Sequence, residues 1–442
     1  MLDRRKFFKL GARAGLAGAA MPLWMRLAGV NAYAQSATNY KAIVCITLDG
    51  GNDGNNAFVP LDSATYQQYS ALRQGLALPQ GSLLPVQNAV GGAVYGFHPS
   101  LKNLSSLFTQ GNASIIANCG PMDQPLTKQA LQQNPNLLPQ LFGSHPVSIS
   151  QWESATTLSA PPTGWGGRIA DQIASESGLL PPVLSVSGVS TFTVGATTQS
   201  VTMMQAAVGG SPLPTGLLQP TLDIAEVDAG SNSELVQRAA QLRTSSLQLQ
   251  SILTQSQQAG SGFQTSFPSS PLGQNLKTIV QVINGRQVTQ ANRQLFYCAT
   301  GSYDTHGSQL QTHANLLSDL DASLSAFVTA LQEIGMLQNV LVLTLSDFGR
   351  TMQSNSTVGS DHAWGNHQLV LGGGFQGGRI LGSFPDFDLG GSQDFTGQGV
   401  WIPTVATQQI AASAASWFGL SSSQIANVFP NLAAFSSTPF SL

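Results

Sequence analysis

The chain has 442 residues with 42% hydrophobic and only 9% charged residues, so it has enough apolar material for a large core, as one big domain or two. Its formal charge is −3, and removal of residues 1–34, which hold six basic residues and one acid, leaves −8. That balance argues against a basic nucleic-acid-binding surface, and so small a charge complement implies that the remaining charges serve specific tasks.

The N-terminus reads Asp3-Arg4-Arg5-Lys6-Phe7-Phe8-Lys9, an arginine pair followed by aromatics, as in twin-arginine export signals. The run Leu10–Leu23 is moderately apolar, rich in Gly and Ala and broken by Arg13. It falls short of the roughly 20 apolar residues that a stable membrane span needs. Ala32-Tyr33-Ala34 offers a small-x-small cleavage site, so residues 1–34 are expected to be a signal peptide and residues 35–442 the working protein. The twin-arginine translocase is then a partner during export, and the periplasm or the medium is the destination.

Next comes Ala42–Leu48, a short continuous apolar run that predicts a strand buried on both faces. Similar runs are Ser114–Ala117, Val183–Val186, Leu295–Ala299, Val340–Leu345 and Leu369–Leu371. Helical patterns lie between them. The clearest covers about Gln309 to Gly335, with Leu317, Leu320, Leu324, Phe327, Leu331 and Ile334 on one face and Gly335 as the stop. Strands alternating with helices predict an α/β three-layer sandwich around a largely parallel sheet. Residues from about 187 to 287 differ, being rich in Ser, Gln, Gly and Thr with a long helix near Ser233–Gln258 and a loop over Gly260–Gly273; they are expected to form a mostly helical insertion or cap. Cys45, Cys119 and Cys298 lie in or near strand-like runs and are expected to be buried free thiols.

The chemistry is expected where strand runs end. Leu48 leads into Asp49-Gly50-Gly51-Asn52-Asp53-Gly54, Ala299 into Gly301-Ser302-Tyr303-Asp304-Thr305-His306, and Leu345 into Ser346-Asp347-Phe348-Gly349-Arg350. Ser360-Asp361-His362 and His367 precede a final strand. In a parallel sheet the C-terminal strand ends share one edge, so these segments should converge. Several carboxylates gathered there need a cation, and Asp and His are ligands for divalent metals. Taken singly, the pieces have plainer readings: a Gly/Asn turn at Asp49–Asn56, a helix cap at Asp304, an Asp347–Arg350 turn pair. His313 is in phase with the apolar stripe and is expected in the core, and His98, before Pro99, is read as structural.

With these motifs the chain resembles the exported bacterial domain of unknown function 1501 family, within the alkaline phosphatase/sulfatase-like superfamily. Further matching segments are His98-Pro99, Ser144-His145, Trp152-Glu153-Ser154, Gly164-Trp165, Trp417-Phe418-Gly419 and Val428-Phe429-Pro430-Asn431. The resemblance implies an alkaline phosphatase-like fold and one or more divalent metal ions (Zn, Mn, Ca or Mg). It implies metal ligands among Asp49 or Asp53, with Asp304, His306, Asp347, Asp361, His362 and His367. Ser144, or else Ser148, is the implied nucleophile, His145 a ligand or acid/base group, and Arg350 a holder of substrate oxygens. The substrate class is then a small-molecule or polymer ester, phosphate before sulfate. Three departures stand out. Phe348 occupies the place of a His, Asp304 and His306 are unusually close, and Gly143–Ser148 lacks the Cys-x-Pro-x-Arg pattern of formylglycine sulfatases. The competing expectation is a non-catalytic binding or assembly protein on a degenerate hydrolase scaffold.

Overall fold

The computed structural model describes residues 39–173, 178–198, 200–203, 228 and 233–435. The proposed signal segment and much of the proposed cap (204–227 and 229–232) lie outside the described residues.

From Lys41 onward the chain is organised by one sheet. Its strands are β1 (Lys41–Leu48), β2 (Ala113–Gly120), β3 (Val183–Ser185), β4 (Val201–Thr202), β5 (Arg293–Thr300), β6 (Val340–Ser346), β7 (Asn366–Gly372), β8 (Ile380–Leu381) and β9 (Val405–Ala406). Their order is β8-β2-β7-β6-β1-β5-β3-β4, with β9 also pairing β2. Every pairing is parallel except those of β7, which runs antiparallel to both β2 and β6. All six expected strand runs are strands. The reversal of β7 is the departure, and it matters, because its N-terminal end now lies on the same edge as the C-terminal ends of its neighbours.

Central strands are buried on both faces, which is why they read as unbroken apolar runs. On one face Ile43, Cys45, Leu295, Leu341 and Leu343 pack with α3 (His145–Ser154), α4 (Trp165–Gln172) and α8 (Thr407–Phe418). The other layer is built from α2 (Lys102–Thr109), α6 (Pro271–Asn284) and α7 (Gln309–Glu333), with α6 against β5 and α7 against both α6 and α2. α7 follows its predicted stripe: Leu317, Leu320, Leu324, Phe327 and Leu331 are buried, and Gly335 takes φ +68° just past its end. The long polar helix is α5 (Glu234–Ala259), against α6. α1 (Ser63–Arg73) and a three-stranded antiparallel sheet (Phe58–Pro60, Leu84–Gln87, Val94–Phe97) pack near the edge that carries the acidic turns. The three cysteines are free and buried, as expected. Among the described residues no helix is long and apolar enough to cross a membrane.

Candidate metal centre

Register fixes where the acidic turns begin. Leu48 of β1 stands opposite Thr300 of β5 and Ser346 of β6, so Asp49, Gly301 and Asp347 leave the sheet side by side. The loop after β1 passes beneath its neighbours only because it carries two glycines in the left-handed region, Gly50 at φ +113° and Gly51 at +83°. A Cβ on Gly50 would stand 2.4 Å from the Asp304 amide nitrogen, and one on Gly51 2.6 Å from the Phe348 ring. The turns are also tied together directly. Ser346 Oγ accepts from the Asn52 amide (2.7 Å) and donates to the Leu48 carbonyl (2.9 Å), while Asp347 Oδ1 accepts from the Gly50 amide (3.0 Å).

Asp304 stands at the centre of three imidazoles. His145, at the N-terminus of α3, places Nδ1 2.7 Å from Asp347 Oδ2 and Nε2 3.4 Å from Asp304 Oδ2. His306 places Nδ1 3.0 Å from Asp361 Oδ1 and Nε2 3.0 Å from Asp304 Oδ1. His362, delivered by the loop ahead of reversed β7, places Nδ1 2.8 Å from the Gly143 carbonyl and Nε2 3.4 Å from Asp304 Oδ1. Each Nδ1 therefore faces an acceptor and each Nε2 a carboxylate, so an ion held at the Nε2 atoms would place the ring hydrogens on Nδ1, where acceptors already stand. The Nε2 atoms of His306 and His362 are themselves 2.9 Å apart. Lone pairs and carboxylate oxygens repel unless a proton or a cation lies among them. Histidines that ligate metals show the same pattern, with the second ring nitrogen donating to a carboxylate or backbone carbonyl.

The donor set of three imidazole nitrogens and a carboxylate suits zinc, or another borderline divalent ion. One ligand atom from each of His145, Asp304 and His362 lies within 4.8 Å of the others. Burial, aided by the Arg350 charge, lowers the His362 pKa against the Gly143 hydrogen bond and the Asp304 charge, and favours the neutral ring a metal needs. For Asp304, partial burial works upward, but the hydrogen bond and charge of Arg350 and the neighbouring imidazoles hold its carboxyl below the usual range. Asp361 is likewise held low against burial by Asn355 and His306, with Asn355 Nδ2 donating to its Oδ1 at 3.0 Å. Phe348 packs at a tilt against the cluster, its ring 4.3 Å from that of His362 and 4.9 Å from that of His145.

The residues expected from sequence divide accordingly. Asp304, His306, Asp347, Asp361, His362 and His145 come together. Asp49 lies beside them, half-buried, its carboxyl pushed up to about 6 by burial and then by the Asp347 charge. Asp53 and His367 do not join them. Asp53 is fully buried and paired with Arg73 of α1, with Gln309 bonded to the same oxygen. His367 accepts the Asn118 amide at 3.0 Å on Nδ1, and burial takes its pKa down to about 3, so it remains neutral. Arg350 was expected to hold substrate oxygens; instead its side chain is buried and its nitrogens are bonded to the carbonyls of Gly50, Gly51, Tyr303 and Ser360 and, at 2.5 Å, to Asp304. The guanidinium is a clasp joining four turns. Ser144 is the N-cap residue of α3, half-buried and adjacent to His145, and Ser148 is buried one turn on.

A cleft of about 720 Å³ opens beside the cluster, between α3 and the segment 187–191. Its wall includes Glu153 and Tyr297, which sequence reading did not assign to the site. Glu153 was visible only within Trp152-Glu153-Ser154, and nothing local marked it as facing a cleft. Burial pushes its carboxyl up to about 7 against hydrogen bonds from Tyr297 and the Phe192 amide. Asn355 and the Gly143 carbonyl were also missed.

A family model described as "Protein of unknown function (DUF1501)" matches residues 40–395. No curated protein matches the sequence. Among solved structures, the chain is similar to the PsFucS1 sulfatase from Pseudoalteromonas sp. at 13% identity, covering 83% of this chain and 69% of that one, with a TM-score of 0.33. It is similar to the C-terminal periplasmic domain of EcEptC from Escherichia coli in complex with Zn at 10% identity, covering 76% and 74%, TM-score 0.30. It is also similar to the alkaline phosphatase from the Antarctic bacterium TAB5 at 12% identity, covering 76% and 92%, TM-score 0.27. Likenesses at this level say nothing about substrate or mechanism.

Proposed function

The chain belongs to the DUF1501 family of proteins of unknown function, so its chemistry has to be read from its own residues, and we propose that it is an exported metal-dependent hydrolase of phosphate esters, with sulfate esters as the lesser alternative. One observation carries the reading: three imidazoles, each with Nδ1 held by an acceptor, turn their Nε2 atoms toward a single carboxylate. Those residues, His145, His306, His362 and Asp304, would hold the ion. A divalent metal bound there would supply a Lewis acid for an ester oxygen and lower the pKa of bound water.

The chain's own groups have defined parts. Asp347, Asp361 and the Gly143 carbonyl fix the three rings and their tautomers. Arg350 locks the turns at their common edge and keeps Asp304 ionised. Phe348 gives the His145 and His362 rings an apolar floor. Ser144 is the nucleophile we favour, since it stands beside His145 at the start of α3. Ser148, one turn into the helix, is the alternative. Export through the twin-arginine route rests on Arg4-Arg5 and Ala32-Tyr33-Ala34; fractionation of cells expressing the full chain and an Arg4→Lys/Arg5→Lys variant tests it, and retention of both forms in the cytoplasm would refute it.

A second reading is favoured by one fact. Arg350 is fully committed within the protein, so among the described residues no arginine is free at the cluster to grip phosphate oxygens. A metal-stabilised binding or assembly protein would need none. A panel of aryl phosphates, phosphodiesters and aryl sulfates, assayed with Zn or Mn supplied, decides between the two. Turnover abolished by Asp304→Ala and His362→Ala supports the hydrolase. Metal binding without turnover of any ester supports the binding protein.

A further inference from the structure

The cleft beside the cluster is lined by acids and one imidazole, His145. Asp49, Glu153, Asp304 and Asp347 all line it, and among the described residues no Lys or Arg does. Asp304 and Asp347 belong with the imidazoles, but Glu153 and Asp49 extend the acidic wall beyond them. Glu153 is fixed there. Its carboxylate receives the Phe192 amide at 3.3 Å and the Tyr297 hydroxyl, tying the 190–193 turn to α3. Across the same seam Ser150 Oγ and Thr191 Oγ1 are 2.9 Å apart. The remaining wall is hydroxylic and apolar, with Tyr297 on one side and the exposed Val189 on the other.

An anionic substituent in this space, on the side away from the imidazoles, would meet Glu153 and Asp49, which are ionised once the pH stands above their raised values, and among the described residues no Lys or Arg. A hydroxyl or an ammonium group would meet acceptors. We propose, building on the hydrolase reading, that this cleft receives the alcohol portion of the ester, and that this portion is hydroxylated or amine-bearing and carries no negative charge. The protein would thus discriminate against esters whose alcohol portion bears a carboxylate or a second phosphate. The expected size of the effect is about tenfold, the value for one like-charge contact at a partly wetted surface.

The test uses three probes that share a phosphomonoester and differ in the charge of the alcohol: glycerol 3-phosphate, phosphoethanolamine and 3-phosphoglycerate. Their binding to zinc-loaded full chain is measured by calorimetry at about pH 8.5, where Glu153 and Asp49 are ionised, and phosphate release is followed in the same samples. 3-Phosphoglycerate should bind about tenfold more weakly than the other two. Val189→Lys, at a side chain 78% exposed on the cleft wall, should narrow that gap to about threefold without unfolding the protein. Equal or tighter binding of 3-phosphoglycerate by the unaltered protein overturns the proposal, as does failure of all three to bind. Discrimination without phosphate release keeps the cleft assignment and refutes the hydrolase reading instead.

Discussion

Two groups of histidines and acids lie close together under the same loops and are used in opposite ways. In the inner group, Asp53 is neutralised by Arg73, which also donates to Asn56 and to the Thr351 and Met352 carbonyls. The imidazoles there are occupied within the protein: His98 Nδ1 accepts the Ser100 amide, His313 Nε2 donates to Asn52, and His367 Nδ1 accepts the Asn118 amide. Burial takes their pKa values down to about 4, 3 and 3 respectively, so all three are neutral. In the outer group a single arginine, Arg350, meets Asp304 while Asp347 and Asp361 face only imidazoles and amides, and three Nε2 atoms converge on Asp304. Composition does not separate a structural cluster from a ligand-binding one. The direction of the second ring nitrogen does.

The largest effect expected from this contrast is on acid stability. A neutral imidazole held below its unfolded value of about 6.5 stabilises the fold fully above pH 6.5, and that contribution is lost as pH falls toward the folded value. With His98, His313 and His367 all depressed, stability should drop by roughly 2–3 kcal/mol for each ring between pH 6.5 and 4. Urea titrations at fixed pH steps, on metal-free protein, measure this. A flat profile over that window would mean the inner rings are charged or wet.

Next in size is Arg73→Ala, which leaves Asp53 buried without its partner and should cost about 3–5 kcal/mol. Zinc bound per folded molecule should be unchanged, because the inner group is separate from the outer one. Loss of zinc in a variant that remains folded would erase the distinction between them. Gly51→Ala should come third, at about 2–3 kcal/mol, from a left-handed φ and contact with the Phe348 ring. It should also weaken zinc binding, since Phe348 supports two of the imidazoles. The smallest stability effect is expected for Asp361→Asn, exposed and outside the core. It should shift the melting temperature little and yet reduce zinc affinity by about 10–100-fold, read by competition with a chelating dye.

Much of this layout was readable in advance because β1, β5 and β6 are unbroken apolar runs that stop abruptly at Gly- and Asp-rich turns. A parallel sheet then leaves the turns little choice but to share an edge. The reversal of β7 was not readable, since an apolar run such as Leu369–Leu371 carries no sign of its direction. The edge received Asp361 and His362 all the same, through the N-terminal end of β7. Asp53 and Asp49 could not be told apart from the sequence. Both sit in one Gly/Asn turn, and what separates them is Arg73, a residue on α1 with no local mark of its partner. His367 was misleading for a related reason, being five residues beyond a ligand candidate but inside a strand whose side chains are buried. The cleft wall was hidden because Glu153 and Tyr297 come from distant segments that meet only through the packing of α3 on the sheet.

The most direct measurement is X-ray absorption at the zinc edge, on full-length protein purified without chelators and equilibrated with zinc. About one equivalent of zinc, with nitrogen and oxygen neighbours near 2.0–2.1 Å, should be found, and the imidazole scattering should fall in His362→Ala. Protein that takes up no zinc, or holds it with an unchanged spectrum in His362→Ala, would contradict the convergence of the three imidazoles on Asp304 as a metal site.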